Sequence, residues 1–410
     1  FLSFKRSPRS LWHCLKLMGR YALDRLNHPR GTRLTVGNAL IARLATTAFA
    51  NGVDLWLQAT PEALLVDQGT VKGVQITWRG QTRNVFAKGG VVLAMGGFAA
   101  GAQAAQQRPV TDSEHWSMSP TANVGDGQRL AASVNAAIGD NLAANFIWAP
   151  VSVLRKADGS QERFPHLVTD RAKPGVIAVN RAGRRFVNES DSYHCFVEGM
   201  FANGGANAPC WLICDSEALN RYGMGLARPR PVDNSALIDA GYLLRADNLA
   251  ELALIAGIDA TALEQTLAQF NADAALGVDR QFGKGSSAYN RYMGDPLHKP
   301  NPCLKPLHKA PYYAIRLFTG DLGSARGLIT NGQANVLDRS GAPIPGLYAA
   351  GNEMNSIMDG TYPGPGITLG PGITFGYLAA SDIAARLDRS TTQQPHTGEQ
   401  HVLRTAHLHD

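Results

Sequence analysis

Two glycine-rich stretches near the C-terminal end of the chain decide the fold: Gly346-Leu-Tyr-Ala-Ala-Gly-Asn-Glu-Met354 and Gly360-Thr-Tyr-Pro-Gly-Pro-Gly-Ile-Thr-Leu-Gly-Pro-Gly372. The apolar run 346–349 predicts a short strand that leads into a loop, and we expect a helix from about 372 to 386. Two glycines and two prolines between Tyr362 and Gly366 fix an unusual backbone path. Backbone N–H groups from Gly366 to Leu369 precede the helix, so we expect them to be free to bind an anion or a carbonyl oxygen.

A second glycine motif lies upstream, in Val91-Val-Leu-Ala-Met-Gly-Gly-Phe98. The all-apolar run 91–94 predicts a strand covered on both faces. Gly96 and Gly97 after it either let the backbone approach a flat or phosphorylated ligand or simply form a tight turn. Before this motif, the apolar spacing predicts a set of helices and strands of α/β character: helices at 7–30 and 37–51, and strands at 54–58, 63–67 and 71–78.

The chain changes character between about 151 and 322. Polar loops there alternate with short apolar strands and amphipathic helices, at 175–179, 211–214, 249–255 and 260–274. This change predicts an inserted domain. The polar tail 389–410 is expected to be disordered, with its four histidines (His396, His401, His407 and His409) solvated rather than bound to a metal.

Composition excludes several classes of protein. The 39 basic and 33 acidic residues give a net charge of +6 without a long basic run, which argues against nucleic-acid binding. The scattered cysteines predict a reducing, cytoplasmic environment, with Cys210 and Cys214 as buried thiols rather than a metal or redox pair. The run 89–105 is too short and glycine-rich to span a membrane. The basic helix at 7–30 could pack in the ordinary way or touch a membrane surface.

A candidate catalytic side chain ends the segment Asn180-Arg-Ala-Gly-Arg-Arg-Phe-Val-Asn-Glu-Ser-Asp-Ser-Tyr193. A turn at 181–183 is expected to lead into a short strand that carries Asn188 and Glu189. Tyr193 would then lie in a loop where its phenol could face a cleft. The alternative for a single tyrosine is a half-buried ring with a satisfied hydroxyl.

Together these segments closely resemble the flavoprotein family of fumarate reductases and 3-ketosteroid dehydrogenases, specifically its ketosteroid Δ1-dehydrogenase branch. The matching stretches follow the family's order over residues 37 to 380: Gly37-Asn-Ala-Leu40, Gly90-Val-Val-Leu-Ala-Met-Gly-Gly-Phe98, Gly125-Asp-Gly127, Gly183-Arg-Arg-Phe-Val-Asn-Glu189, Gly320-Asp-Leu-Gly323, Gly346-Leu-Tyr-Ala-Ala-Gly-Asn352 and Tyr362-Pro-Gly-Pro-Gly-Ile-Thr-Leu-Gly370. The resemblance implies a Rossmann-like FAD-binding domain at 1–150 and 323–387, a substrate-binding domain at 151–322, and a tail at 388–410.

The resemblance also implies roles for individual residues. Tyr193 would remove a proton alpha to a ketone, and Tyr362 and the Gly366 amide would hold the ketone oxygen while FAD takes a hydride from the beta carbon. A phenol and a backbone N–H aimed at one oxygen form an oxyanion hole, which suits enolate chemistry independently. The Tyr193 base would need a pKa below the usual value of about 10. FAD contacts are implied at Ala63, Ala94, Gly96, Gly97, Asp126, Gly351, Asn352, Thr368 and Leu369.

The substrate implied is a small apolar, steroid-like ketone, and an external electron acceptor would reoxidise the flavin. A dicarboxylate reductase is disfavoured, because the chain has Thr368 and Ser192 where the fumarate-reducing relatives carry arginine. The family's Gly-x-Gly-x-x-Gly motif is not found in residues 1–410, so we expect an N-terminally truncated copy or a unit supplied elsewhere. The alternative is a catalytically silent flavoprotein remnant that binds only a ligand or a partner.

Overall fold

The structure is a computed structural model that describes residues 7–110, 114–140, 142–168 and 170–392. The predicted tail histidines therefore lie outside the described residues. The chain divides into two compact units, the first ending at Thr60 and the second beginning at Pro61. The helices are α1 (Pro8–Asn27), α2 (Val36–Ala50), α3 (Asp126–Ala132), α4 (Tyr193–Gly205), α5 (Ser216–Tyr222), α6 (Ser235–Asp239), α7 (Leu249–Ala256), α8 (Ala260–Leu276), α9 (Ala288–Met293) and α10 (Leu369–Thr392).

The strands are short and belong to several small sheets. In chain order they are β1 (Ala59–Asp67), β2 (Thr70–Trp78), β3 (Gln81–Phe86), β4 (Val91–Leu93), β5 (His115–Ser117), β6 (Phe146–Trp148), β7 (Val151–Arg155), β8 (Gln161–Pro165), β9 (Val176–Val179), β10 (Cys210–Asp215), β11 (Leu244–Ala246), β12 (Tyr312–Leu317), β13 (Thr319–Ser324), β14 (Asn335–Leu337) and β15 (Pro343–Ala349). The sheet orders are β1-β2-β3, β11-β12-β10-β9, β5-β13-β6, β14-β15-β4 and β7-β8. The predicted α/β character is confirmed.

The sheet β14-β15-β4 positions two of the predicted glycine motifs. β15 and β4 run parallel, with Leu347 opposite Val91 and Ala349 opposite Leu93. The Ala350 N–H continues this ladder by donating to the Leu93 carbonyl at 3.0 Å. Because the carboxyl ends of parallel strands share one edge of a sheet, the segments after Leu93 and after Ala349 lie side by side, which is where α/β folds bind ligands.

The sheet β11-β12-β10-β9 forms a second framework, packed between two apolar clusters. Its central strand β10 is buried along its whole length. Cys210 and Cys214 are both buried free thiols, and burial raises the pKa of each. The interpretation of this pair as core thiols is confirmed.

Several predicted elements need correction. Residues 54–58 are not a strand, and Leu55 and Leu57 are 65% and 70% exposed, so their apolar character did not signal a paired strand. Val92 is 40% exposed, so β4 is not covered on both faces. The last helix begins at Leu369 rather than 372, because Pro371 lies in its first turn, where its missing N–H is not needed. That helix also continues through Thr392, into the tail predicted to be disordered.

The segment before Tyr193 also differs from expectation. Asn188 and Glu189 lie in irregular backbone rather than in a strand. Tyr193 is the first residue of α4 and not a loop residue, because Ser192 caps the helix by accepting a hydrogen bond from the Cys195 N–H at 3.1 Å. No helix in the described part of the chain combines the length and apolar character needed to cross a membrane.

Candidate active site

The glycine pair after β4 is a place of very close backbone approach. Gly96 and Gly97 have φ values of +85° and +79°, the left-handed region that favours glycine. A Cβ on Gly97 would lie 1.9 Å from the Ser324 hydroxyl oxygen and 2.6 Å from the Asn352 carbonyl oxygen. A side chain therefore has no room here, and the main chain of the pair is held against the loop after β15.

Glu353 joins the two glycine motifs. Its carboxylate oxygen Oε2 accepts a hydrogen bond from the Gly97 N–H at 3.1 Å, and its other oxygen has no partner in the described residues. Gly127 makes room for this side chain, since a Cβ there would lie 2.3 Å from the carboxyl carbon. Burial raises the pKa of Glu353, and the nearby Asp126 raises it further. Asp126 starts α3, and Gly125 before it donates to the Gly97 carbonyl at 3.1 Å.

The structure brings Gly351, Asn352 and Thr368 together. All three line one narrow pocket, together with Ile147 and Ile367. A Cβ on Gly351 would meet the Cα of Gly372 in the first turns of α10. With Gly96, Gly97 and Asp126, these residues form a continuous region at the edge of the β14-β15-β4 sheet, which we call the sheet-edge site.

The remaining predicted cofactor contacts are more exposed. Ala94 follows β4 directly and is exposed, and Leu369 is half exposed at the start of α10. Ala63 is exposed on β1. It is linked to the sheet-edge site only indirectly: Arg129 donates to the carbonyls of Pro61 and Glu62 and contacts Asp126.

The two candidate catalytic tyrosines meet, although 169 positions separate them in the sequence. The Tyr362 hydroxyl donates a short hydrogen bond to the Tyr193 hydroxyl oxygen. The ring centroids are 4.6 Å apart at an interplanar angle of 55°. Tyr193 is 7% exposed, in a small apolar cluster against which Tyr362 and Ile367 also pack. The structure therefore brings the residue predicted to be a base and the residue predicted to be a donor to one place.

The electrostatics of the pair distinguish its members. Burial raises the pKa of Tyr193, partly offset by the hydrogen bond from Tyr362 and by the positive charge of Arg171. Burial also raises the pKa of Tyr362, and its hydrogen bond to Tyr193 raises it further, because a donor is stabilised in its protonated form. Burial therefore opposes the lowering of the pKa that a Tyr193 base needs, whereas the Tyr362 hydrogen bond and the Arg171 charge favour it. In this hydrogen bond Tyr362 donates and Tyr193 accepts, so Tyr193 remains the candidate proton acceptor.

The loop after Tyr362 carries the predicted amide donor. Gly366 is exposed, with φ +105° and no atom near an added Cβ. Its carbonyl accepts from the Gly370 N–H at 2.8 Å, whereas its own N–H has no acceptor among the described residues. The next residue, Ile367, packs on the cluster that contains Tyr193. This N–H is thus an available backbone donor, one residue before a side chain that packs on the Tyr193 cluster.

Sequence reasoning missed three residues around the tyrosines. His194 stacks on Tyr362, with centroids 5.9 Å apart and planes 13° apart, and its Nδ1 accepts the Trp148 N–H at 3.1 Å. Tyr289 on α9 carries a buried hydroxyl without a partner in the described residues. Arg171 is a buried cation whose charge lowers the pKa of both catalytic candidates. None lies in a glycine motif, so the sequence offered no comparable signal.

Comparison with known proteins places the chain in a family. The model of the FAD binding domain family matches residues 7–369. The chain belongs to this family. FAD is therefore the family's cofactor, as the resemblance implied.

Named relatives agree with this assignment. The chain is 38% identical to a 4-oxocyclohex-2-ene-1-carboxylate 5-dehydrogenase of Sinomonas cyclohexanicum over 94% of its own length and 66% of that protein's. It is 37% identical to a 3-oxosteroid 1-dehydrogenase of Mycolicibacterium smegmatis over 93% of its length and 68% of the relative's. The chain thus spans about two thirds of these relatives.

A solved structure gives the same result. The crystal structure of 3-ketosteroid Δ1-dehydrogenase from Sterolibacterium denitrificans, in complex with 1,4-androstadiene-3,17-dione, matches with a TM-score of 0.85 and 37% identity. The match covers 94% of this chain and 70% of that one. The mixed α/β flavoprotein fold predicted from the sequence is therefore confirmed.

Proposed function

We propose that the protein is an FAD-dependent dehydrogenase of a 3-ketosteroid or a similar cyclic ketone. It would remove a proton from the carbon alpha to the carbonyl and a hydride from the beta carbon, which leaves an enone. The observation that carries this proposal is the direct contact between Tyr193 and Tyr362. The loop that follows Tyr362 also carries the Gly366 N–H, which has no acceptor among the described residues. The names of the related dehydrogenases support the reaction class.

Tyr193 is the proton acceptor in this proposal. Its oxygen already accepts the Tyr362 hydrogen bond, whereas the Tyr362 proton is the one held more firmly. A base must come within hydrogen-bond reach of the carbon-bound proton. The apolar cluster around Tyr193 keeps water away from that oxygen and favours a hydrocarbon ring over a charged substrate.

Tyr362 and Gly366 would stabilise the negative charge that develops on the ketone oxygen. A phenol O–H and a backbone N–H are both donors, and preorganised donors act most strongly where charge forms in the transition state. In the structure the Tyr362 hydroxyl donates to Tyr193. When a ketone enters, we expect the two hydroxyls to separate, with Tyr362 turning its proton to the ketone oxygen and Tyr193 left to face the alpha carbon.

The sheet-edge site fits part of the cofactor. A Cβ on Gly97 would collide with Ser324 and Asn352, so glycine lets the loops after β4 and β15 pack closely. Gly351, Asn352 and Thr368 line a pocket at the carboxyl ends of these strands. These residues would hold FAD by close main-chain approach rather than by charge. When bound, FAD supplies the acceptor for the hydride. The predicted division into cofactor-binding parts at 1–150 and 323–387 and a substrate-binding part at 151–322 belongs to this proposal.

The structure supports a ketone over a dicarboxylate substrate. Ser192, at one of the positions where arginine was expected in a fumarate-reducing relative, is used as the cap of α4. Thr368, at the other, lines the pocket of the sheet-edge site with a neutral side chain. Neither can pair with a carboxylate as arginine does.

Anaerobic visible spectroscopy tests the proposal. The purified protein is titrated first with FAD and then with a 3-ketosteroid. We expect an FAD band that bleaches as the ketone is added, because the hydride reduces the flavin. Binding of FAD without bleaching, for either a steroid or a monocyclic ketone, would contradict the dehydrogenase proposal and favour the silent remnant. If the bound flavin is instead first reduced with dithionite, return of the FAD band on addition of fumarate would favour the dicarboxylate alternative.

A further inference from the structure

Arg171 carries a buried guanidinium whose N–H groups, within the described part of the chain, donate to backbone carbonyls. It is 3% exposed. Its Nε donates to the His166 carbonyl at 2.8 Å, and one terminal nitrogen donates to the Leu167 carbonyl at 2.9 Å. The other terminal nitrogen donates to the Glu189 and Asp191 carbonyls at 2.9 and 3.1 Å. One side chain thus joins the loop after β8 to the segment that leads into α4.

The charge of Arg171 is not neutralised by a direct partner. Among the described residues, no carboxylate forms an ion pair with it. Arg185, the other buried arginine, pairs with Glu189 and Asp279, each at 2.8 Å. Carbonyl groups satisfy the N–H donors of Arg171 but leave its positive charge in place. Asp170, Asp191 and Glu189 act on this charge without forming a direct ion pair with it, so its burial remains costly and calls for a reason.

The position of Arg171 supplies that reason. The carbonyls of Glu189 and Asp191 immediately precede Ser192, the cap of α4, so the guanidinium fixes the point at which Tyr193 begins the helix. It also lies 5.1 Å from the ring centroid of Phe196, one turn into the same helix. Arg171 therefore both holds the backbone at the start of α4 and brings a positive charge to that point.

Few charged or titratable groups act on Arg171 and on the two tyrosines. Asp170 Oδ2 accepts from His166 Nδ1 at 2.7 Å and from the Gly225 N–H at 3.0 Å, and its Oδ1 accepts from the backbone N–H of Arg171 at 2.9 Å. The groups that act electrostatically on Arg171 are Asp170, Tyr289, Asp191 and Glu189. Those that act on Tyr193 are Tyr362, Tyr289 and Arg171, and those that act on Tyr362 are Tyr193, Tyr289 and Arg171. Arg171 is thus the one cation among the groups that act on Tyr193 and also among those that act on Tyr362.

We propose that Arg171 is a positioning residue of the reaction, which sets the start of the Tyr193 helix and supplies the buried positive charge that favours proton loss from the tyrosine pair. This inference rests on the proposed function, since it assigns Arg171 a task in preparing the Tyr193 base. In substrate turnover, the charge would offset the cost that burial imposes on the phenolate. Arg171 itself need not touch the ketone.

The test measures the titration of Tyr193 directly and needs neither FAD nor ketone. The protein is labelled with 3-fluorotyrosine, because fluorine lowers the pKa of a phenol. The titration can then be followed at a pH that is less alkaline and less damaging to the folded protein. Fluorine NMR then follows each phenol with pH, and the Tyr193→Phe variant identifies the Tyr193 resonance among the 11 tyrosines. Three variants are compared: Arg171→Gln removes the charge, Arg171→Lys keeps it without the four-way fork, and Arg185→Gln removes a buried guanidinium that is not assigned to Tyr193.

The expected pattern separates charge from scaffold. Arg171→Gln raises the Tyr193 midpoint, because it removes a positive charge that lowers the pKa of that phenol. Arg171→Lys shifts it by less than half as much, and Arg185→Gln leaves it unchanged. Equal shifts in the Gln and Lys variants, or no shift in either, would overturn the electrostatic role. If Arg171→Gln loses its native circular dichroism, the Lys variant decides alone: a midpoint close to that of the parent supports the proposal, and a clear rise refutes it.

Activity gives a second, separate readout. If a ketone reduces the bound FAD, the rate of flavin reduction is measured against pH. In Arg171→Gln the pH profile of this rate should move to higher pH, because the Tyr193 pKa is raised. The ketone concentration needed for half saturation should change little. Failure to reduce the flavin at all would count against the proposed function and leave the NMR comparison intact. The two conclusions can therefore fail independently.

Discussion

Replacing Gly97 by alanine tests the close approach at the centre of the sheet-edge site. The residue has φ +79°, and a left-handed conformation costs a non-glycine residue about 1–2 kcal/mol. The added methyl group would also lie 1.9 Å from the Ser324 hydroxyl oxygen and 2.6 Å from the Asn352 carbonyl oxygen. Overpacking of this kind costs about 1–3 kcal/mol. We therefore expect Gly97→Ala to lower the free energy of unfolding by about 3 kcal/mol in total.

A matched glycine separates the two contributions. Gly341 has a similar φ of +84°, and an added Cβ there would meet no atom within contact distance. Gly341→Ala should therefore show only the conformational cost, about 1 kcal/mol. Adding Ser324→Ala to Gly97→Ala should recover part of the loss, since it removes the nearest clashing atom but leaves the Asn352 carbonyl in place.

Urea unfolding and FAD titration measure the outcome. Unfolding is followed by circular dichroism for the parent protein, both single variants and the double variant. Gly97→Ala should also weaken FAD binding, whereas Gly341→Ala should leave it unchanged, because only the first displaces the loops that contain Asn352. If Gly97→Ala were no more destabilising than Gly341→Ala and bound FAD normally, the tight packing deduced for the glycine pair would be wrong.

Three further predictions concern individual side chains. Tyr193→Phe should nearly abolish ketone-dependent flavin bleaching while FAD still binds; a bleaching rate equal to that of the parent would remove Tyr193 as the base. Tyr362→Phe should slow bleaching by about 10²-fold, as loss of an oxyanion donor does, and an effect below about twofold would exclude that role. Because burial raises the folded-state pKa of Glu353, the parent should lose stability as the pH rises above the ordinary glutamate value of 4.5. Glu353→Gln should flatten that slope in urea unfolding at several pH values, and parallel slopes would contradict the assignment.

Periodicity and turn residues predicted much of the fold. The helices near 7–30, 249–255 and 260–274 occur with shifted ends, because their apolar spacing and flanking Gly, Pro or Asp residues are local signals. The strand predicted at 54–58 failed for the opposite reason: apolar content favours burial, but pairing depends on distant residues. The loop expected around Tyr193 failed because the capping role of Ser192 was overlooked.

The residues of the candidate site could be predicted from the sequence, but the contacts that hold them in place could not. Resemblance identified Tyr193, Tyr362 and Gly366, yet no single sequence shows that two phenols 169 residues apart are joined by a hydrogen bond. Glu189, which was expected on a short strand with Asn188, lies instead in irregular backbone and forms a buried ion pair with Arg185.

Arg171 was harder still to find, and the reason is physical. Its acceptors are main-chain carbonyls, which every residue possesses, so no pair of residue types in the sequence marks the contact. An arginine paired with a carboxylate leaves a charge pattern that can be searched for, as Arg185 and Glu189 do at a spacing of four. A cation bound by carbonyls leaves no such charge pattern in the sequence. Because no carboxylate pairs with it directly, its positive charge also acts more strongly on a neighbouring phenol. The side chains best suited to tune a buried base are for this reason those that sequence patterns conceal most completely.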